Sequence, residues 1–436
     1  MQNRETTPTA VDRQPAAFRV WEDWLAVGIG GVIIAVVLFG IRPDPARFGW
    51  SNPGDLVGTV LAAGNLSRWL QLGVLLLLPA AVGARLMGAR LVPFVLGFAV
   101  LYGLAGIALL LAGSSVSSRL GLEYVIYALA IGLVLGQTMP LRRWFAEAVQ
   151  AEYYVKIGLV VLGASVLFSE LVEAGLLGIT QALLVVLTVW TFCFWLARRL
   201  HVDDELATML ASAVSICGVS AAIATCGAIQ GDRKKLSYVT SLVLVVAVPM
   251  MVVMPWVSRA LGMPDAVAGA WLGGTLDTSA AVVAAGELVS EQARNAAVVV
   301  KLSQNVLIGI AAFVLTIWWS MRRGGSAAEQ VGAAVIWERF PKFVLGFLGV
   351  SLIFSFALSE TSVSETRSLL NTVRTAWFAL AFISIGLETS IGDLIKTGGG
   401  RPVAAVLGAQ AFNIVVTLLL AYLLFGGVIV SAPVFN

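Results

Sequence analysis

One acidic residue and one polar helical face stand out in a chain of 436 residues of which 59% are hydrophobic. Asp277 lies in the run Gly-Gly-Thr-Leu-Asp-Thr-Ser, with no basic residue nearby in the sequence. Lys301, Gln304 and Asn305 follow at i, i+3 and i+4 spacing, so a helix would carry them on one face. A carboxylate in apolar surroundings is costly unless it is paired or hydrated, and ammonium and amide groups donate hydrogen bonds to oxyanions. These residues therefore predict an ion-coupling group beside an anion-binding face.

The stretch from Ser212 to Gly227 is built from small, weakly polar residues, unlike the apolar sequence on either side. A glycine in its middle, Gly218, allows the backbone to break there. Irregular backbone inside a membrane occurs only where protein buries it or where it lines a cavity. We therefore predict half of a substrate site here, on a broken or re-entrant helix. Its predicted substrate-binding residues are Ser215, Cys217, Gly218 and Ser220.

A second stretch, 273–286, has the same texture, because Ser279-Ala280-Ala281 follows a Gly-rich break just as Ser220-Ala221-Ala222 does. Each break would start a helix, and helix N-termini carry unpaired N–H groups and partial positive charge that attract anions. We predict that the two breaks meet near the middle of the membrane. Two simpler interpretations stay open: small residues pack helices closely, and Asp277 can cap a helix. The predicted substrate-binding residues of this half are Thr275, Thr278, Ser279, Lys301, Gln304 and Asn305.

The composition places these residues in a membrane protein. Only 12% of the residues are charged, whereas soluble domains carry roughly 25%. Apolar runs long enough for helical spans, roughly 20 residues each, recur along the chain. We predict an all-α polytopic membrane protein with no nucleic-acid partner. The three cysteines lie in apolar segments, so we expect no disulfide framework, no metal site and no cofactor.

Weak internal symmetry predicts the domain organisation. Residues 162–171 align without gaps on residues 385–394, which is typical of an inverted-repeat transporter bundle. We predict a disordered cytoplasmic tail at 1–20, additional transmembrane helices at 21–122, and a transporter core with inverted repeats at 123–436.

Basic residues predict the topology, since Lys and Arg favour the cytoplasmic side. If the segments holding the two breaks both re-enter, four basic clusters share one side and the two segments enter from opposite faces. Full spans with broken middles remain the alternative. The N-terminus is expected in the cytoplasm. The clusters are Arg142-Arg143, Arg198-Arg199, Arg233-Lys234-Lys235 and Arg322-Arg323.

These motifs resemble a known family. The run Ser-Ile-Cys-Gly-Val-Ser-Ala-Ala-Ile-Ala at 215–224, the stretch 273–286 and Val300-Lys301-Leu302 are similar to those of the sulfate exporter family of bacterial inner-membrane proteins. The resemblance covers about 124–436. It implies a distant relation to the fold of bile-acid symporters and cation–proton antiporters.

We therefore predict a secondary transporter, not an enzyme, that moves a small anion such as sulfate or a sulfonate by alternating access across the bilayer. The alternative is a Na⁺- or H⁺-coupled carrier or antiporter of a non-anionic solute, with Asp277 and Glu388 as the ion-coupling residues. An intramembrane enzyme is disfavoured because the chain has neither HExxH nor GxSxG. A channel and a homodimer stay open.

Overall fold

The computed structural model describes residues 16–119, 122–138, 143–166, 168–323, 337, 340–389, 400–428 and 433. Within these ranges the regular secondary structure is helical, apart from one isolated bridge between Trp50 and Ser114. The principal helices are α1 (Ala16–Leu38), α2 (Ala63–Leu86), α3 (Leu91–Ala112), α4 (Tyr124–Thr138), α5 (Ala151–Leu162), α6 (Phe168–Arg199), α7 (Asp204–Ser212), α8 (Val219–Ile229), α9 (Arg233–Ala260), α10 (Asp265–Thr275), α11 (Ser279–Val289), α12 (Glu291–Arg323), α13 (Phe343–Leu352), α14 (Glu360–Glu388) and α15 (Arg401–Phe425).

Seven helices of the described chain are long and apolar enough to cross a membrane: α2, α3, α6, α9, α12, α14 and α15. Their outward faces carry large exposed apolar side chains, for example Leu78, Leu187 and Leu419. Such a surface suits contact with lipid rather than with water. The predicted fold class, an all-α polytopic membrane protein, is confirmed.

The helices pack into two groups. The hairpin bundle contains α6 to α12 and α15, and the scaffold bundle contains α1 to α5, α13 and α14. The predicted additional helices belong to the scaffold bundle, where α1 packs on α5 and α13, and α3 packs on α4 and α14. The two bundles meet chiefly along α11, which contacts α4, α5 and α14.

The first hairpin, α7 with α8, enters the bundle and returns to the same end. Lys235, at the start of α9, lies 2.6 Å from Asp203 and 3.0 Å from Glu205 at the start of α7. Asp204 pairs with Arg198 and Arg322 at that same end. Three of the basic clusters therefore gather on one side, as the re-entrant topology predicts.

The second hairpin, α10 with α11, enters from the opposite end of α9. Arg259, near the C-terminus of α9, donates a hydrogen bond of 3.4 Å to the carbonyl of Val289, the last residue of α11. Since α9 runs from the open end of the first hairpin to the open end of the second, the two hairpins point toward each other. The two hairpins therefore open at opposite ends of the hairpin bundle, as the re-entrant topology requires, and their entry from opposite membrane faces stays a prediction.

Some predictions fall on residues outside those described. These include residues 1–15 of the predicted tail, Arg142 and residues 390–394 of the second repeat copy. The described parts of the two copies both end a helix, α5 at Leu162 and α14 at Glu388. The inverted repeat itself stays a prediction.

Candidate functional site

The break in the first hairpin is a left-handed glycine. Helix α7 continues into a π-helical turn, Ala213–Cys217, and Gly218 then adopts φ +60° and ψ −114° before α8 begins. Residues with a Cβ atom rarely adopt a positive φ, whereas glycine does so readily. The small-residue stretch therefore folds as predicted, with its turn at Gly218.

The break in the second hairpin is an extended segment capped by a hydroxyl. Helix α10 ends at Thr275, and Leu276 is extended, with φ −75° and ψ 134°. The Thr278 hydroxyl then accepts a hydrogen bond of 3.1 Å from the N–H of Ala281 and caps α11. Thr278, and not Asp277, is the N-cap, so the carboxylate is left for another role.

The two breaks pack directly against each other. A Cβ atom placed on Gly218 would lie 3.0 Å from the backbone oxygen of Asp277 and 3.4 Å from its Cβ. The predicted meeting of the two breaks is therefore present in the interior of the hairpin bundle.

Lys301 joins the two breaks. Its Nζ donates to the carbonyls of Ile216 and Leu276, both at 2.7 Å, and to Gln304 Oε1 at 3.0 Å. These carbonyls end the first arm of each hairpin, where helix dipoles place partial negative charge. The side chain is 2% exposed, and an ammonium group has three donors. All three are thus used within the protein, so Lys301 acts on both hairpins at once.

Amide side chains satisfy further carbonyls of the same two arms. Gln304 Nε2 donates to the carbonyls of Ser215 and Gly274, at 3.4 and 3.1 Å. From α15, Gln410 Nε2 lies 2.9 Å from the carbonyl of Thr275. Asn413 Nδ2 reaches the carbonyls of Val214 and Thr275, at 3.4 and 3.3 Å.

Sequence reasoning missed Gln410 and Asn413. Their signal was available, because two amides three residues apart lie on one face of an otherwise apolar helix.

Asp277 lies buried at the crossing, with the Gln410 side chain beside it and no donor of the described chain in good hydrogen-bond geometry. It is 2% exposed, and among the described residues neither carboxylate oxygen accepts a hydrogen bond. Two further buried oxygens, Thr275 Oγ1 and Gln410 Oε1, also have no donor in this part of the chain. The carboxylate and the Gln410 oxygen can only accept, and the Thr275 hydroxyl can accept as well as donate, so the local chemistry suits a proton or a cation.

The second half of the predicted site faces the scaffold bundle. Asn305 Nδ2 donates a hydrogen bond of 3.1 Å to Ser279 Oγ at the start of α11. A narrow crevice, too tight in this conformation to admit a water molecule, lies between α5 and the pair α11 and α12. It is lined by Leu159, Ser279, Val282, Val283, Val298, Lys301 and Leu302.

The remaining predicted residues have different surroundings. Ser215 Oγ donates back to the carbonyl of Ala211 at 2.7 Å, while Cys217 is buried and Ser220 is half-buried. Glu388 is exposed at the end of α14, beside the first turn of α5. No hydrogen bond or ion pair among the described residues joins it to either break.

Charged residues bridge the two bundles at the open end of the second hairpin. We call Glu287, Glu291, Arg294 and Arg374 the arginine cluster. Arg294 is fully buried and binds Glu287 Oε1 at 3.1 Å and Glu291 Oε1 at 2.9 Å. Arg374, from the scaffold bundle, stands farther from the same two oxygens, at 4.0 and 3.8 Å. The cluster is therefore tight within the hairpin bundle and looser across the interface.

A helical membrane protein with two opposed re-entrant hairpins crossing at a lysine and a buried aspartate is the class that this fold and site define. The family model described as "Conserved hypothetical protein 698" matches residues 96–405, and the chain belongs to that family.

Three relatives of the chain are described as membrane proteins. A UPF0324 membrane protein of Rhodopirellula baltica is 38% identical over 389 residues, which cover 86% of this chain and 71% of that protein. A UPF0324 membrane protein of Nitratidesulfovibrio vulgaris is 37% identical over 357 residues, covering 79% of this chain and 62% of the relative. The UPF0324 inner membrane protein YeiH of Escherichia coli is 25% identical over 334 residues, 74% of this chain and 92% of that protein. No solved structure matches the chain.

Proposed function

We propose that the protein is a secondary transporter that moves a small anion by alternating access. The observation that carries this proposal is the crossing of the two hairpins at Gly218 and Asp277, next to the interface between the bundles. Broken backbone in the interior of a membrane protein is tolerated where it lines a binding cavity. In many transporters such broken helices form the substrate site.

The polarity of the hairpins supports an anion as the solute. Helices α8 and α11 both begin at the crossing, so their free N–H groups and partial positive charges converge there. Ser220 and Ser279 lie in the first turns of these helices and add hydroxyl donors. The Lys301 ammonium adds positive charge beside the crevice, although its hydrogen bonds are made to protein carbonyls. The resemblance to sulfate exporters points to sulfate or an organic sulfonate.

Asp277 is proposed as the coupling group. A buried carboxylate without donors is stabilised when it takes up a proton or a cation. The neighbouring unmet oxygens of Thr275 and Gln410 would add ligands for Na⁺. The same observation favours the second candidate, a cation-coupled carrier of a non-anionic solute.

The two bundles supply the parts that alternating access needs. The two arginines of the arginine cluster are buried at one end of their interface. At the other end, Glu152 and Glu388 are exposed on the scaffold bundle, and Glu152 lies close enough to Cys217 for its charge to act on the thiol. We propose that this conformation is closed at the arginine cluster and open toward Glu152.

The proposed location is a bacterial inner membrane with the N-terminus in the cytoplasm. It is supported by the gathering of Arg198, Lys235 and Arg322 at one end, since basic residues favour the cytoplasmic side. Cysteine labelling at Gly64 and at Arg85, which lie in the first and last turns of α2, would check the orientation.

Counterflow in proteoliposomes tests the function. Vesicles loaded with sulfate, an alkylsulfonate or a neutral polyol are diluted into the labelled solute, with and without a Na⁺ or pH gradient. Saturable uptake of a labelled anion, driven by an unlabelled anion inside, supports the anion transporter. Uptake of the polyol alone, dependent on the ion gradient, would support the second candidate. Flux that does not saturate and needs no counter-solute would indicate a channel.

A further inference from the structure

A second polar pocket lies far from the crossing, at the end where the first hairpin opens. It has a volume of about 470 Å³ and is lined by Arg198, Asp204, Trp319 and Arg322, from α6, α7 and α12. Both arginines pair with the one carboxylate of Asp204, Arg322 through Nη1 at 3.3 Å from Oδ2. Since two guanidinium groups share one carboxylate, the pocket keeps a net positive charge. Both arginine side chains remain about half exposed.

Aromatic residues place this pocket at the depth of lipid headgroups. The Arg322 guanidinium lies 4.3 Å from the centre of the Trp318 ring, and Trp318 packs edge-on against Trp190 and Phe194. Trp and Tyr side chains concentrate at the membrane–water interface. Trp195, one turn before Arg198, and Met321 are exposed, so apolar surface adjoins the charged pocket.

We infer that this pocket binds the phosphate of an anionic phospholipid. Guanidinium groups hold phosphate through paired hydrogen bonds, and each arginine still exposes donors beyond its contact with Asp204. The pocket lies on the basic side of the protein, where anionic headgroups are attracted to arginines near the surface. The exposed Trp195 and Met321 would contact the acyl chains. Arg198 and Arg322, which end α6 and α12 beside the start of the first hairpin, therefore serve a lipid as well as the fold.

The experiment measures how much phosphatidylglycerol the full-length protein retains. The protein is purified from nanodiscs that contain phosphatidylcholine with or without phosphatidylglycerol, and bound lipid is counted by native mass spectrometry. We expect the double variant Arg198→Gln with Arg322→Gln to bind phosphatidylglycerol about tenfold more weakly. The control, Arg85→Gln with Arg90→Gln, removes the same charge at the turn between α2 and α3. In this control region, Arg90 also pairs with a carboxylate, that of Glu147. The control variant should retain the lipid.

A third variant changes the affinity in the other direction. Asp204→Asn removes the competing carboxylate and leaves the cap residue Asp203 in place, so retention should rise. This variant keeps the test decisive if the double variant does not fold. Equal retention in all variants, or equal loss in the control, would overturn the inference. Stabilisation by inorganic phosphate in phosphatidylcholine alone, without preference for phosphatidylglycerol, would likewise overturn it in favour of a free-phosphate site.

Discussion

Gly218 lies against Asp277, so that a methyl group on the glycine would come within 3.0 Å of the aspartate backbone oxygen. The same methyl group would come within 2.8 Å of Val243 Cγ1 on α9. The crossing point is therefore closed on two sides by atoms that belong to different elements. A larger residue at position 218 can be accommodated only if the two hairpins move apart.

Substitution of this glycine is expected to disrupt the crossing. Gly218→Ala combines the steric conflict with a backbone angle of φ +60°, and such a residue costs about 1–3 kcal/mol. We expect a clear fall in the thermal unfolding midpoint and loss of counterflow. Gly349→Ala is the matched control, because a Cβ there meets nothing within 4 Å. Cys217→Ser should also be mild. Wild-type flux in Gly218→Ala would show that the two hairpins can move apart at the crossing without loss of function.

Lys301→Met is expected to act mainly on the stability of the protein and not on solute binding. The substitution leaves two buried carbonyls without their charged donor, at an expected cost of about 3 kcal/mol or more. The unfolding midpoint should fall strongly in the absence of any anion. Asn305→Ala, which removes the contact with Ser279 only, should lower flux with a smaller change in the midpoint. A Lys301→Met protein of normal stability that fails to bind the anion would assign the ammonium to the solute instead.

The sequence predicts the breaks better than the contacts that hold them. Small residues around Gly218 and the Gly-Gly pair before Asp277 are local signals, and both mark backbone that leaves the helix. The partners of the freed carbonyls lie far along the chain: Gln410 binds Thr275 at a separation of 135 residues, and Asn413 binds Val214 at 199. Such pairings depend on how helices pack, which local periodicity does not specify.

Asp277→Asn is expected to separate solute movement from ion coupling. The amide is neutral and has nearly the same size, so the variant should fold, and loss of a buried unpaired carboxylate should not lower the unfolding midpoint. Flux driven by a Na⁺ or pH gradient should fall at least about tenfold. Thr278→Val, which removes the cap of α11 instead, should lower stability. Gradient-driven flux that persists in Asp277→Asn would exclude Asp277 as the coupling group.

The arginine cluster should couple the two bundles energetically. Arg374→Gln removes an opposite charge that faces Glu287, and Glu287→Gln removes one that faces Arg374. The losses of stability caused by the two substitutions should therefore not add. We expect a double-mutant cycle on the free energy of unfolding to give a coupling free energy of about 1 kcal/mol or more. The solvent-exposed pair Arg90 and Glu147, on one bundle, provides the comparison and should give less than about 0.5 kcal/mol. Additive effects in both pairs would mean that Arg374 does not hold the interface.

The contacts of Asp203 at the start of the first hairpin should stabilise the protein less in acid. Although partial burial opposes the shift, hydrogen bonds from Lys235 and from the N–H of Leu206 lower the pKa of Asp203. A lowered pKa in the folded state means that the stabilisation is present above the ordinary aspartate pKa of about 4, and is lost as the pH falls through the folded value. The unfolding midpoint should therefore decline below about pH 4. Asp203→Asn should show a smaller decline, and an identical pH profile would contradict this assignment.

Hydropathy also underestimates the length of α14. The helix begins at Glu360, capped by Ser359, and its first half is polar. Only its second half is apolar enough to predict a span, so Arg374 falls at the margin of the apolar segment. A helix of 29 residues is about 43 Å long, more than the roughly 30 Å of the hydrocarbon core. The polar half is thus a continuation that a search for apolar runs does not detect.

The position of Lys301 restricts how the protein can move. One ammonium group holds the carbonyls of Ile216 and Leu276 together, so the tips of the two hairpins cannot slide past each other without breaking a charged hydrogen bond. A displacement that keeps these hydrogen bonds must carry both tips and α12 as one rigid body. The surface of α11 against the scaffold bundle is then where such a displacement would take place, and under the proposed function the solute would travel with its site instead of passing through a fixed one.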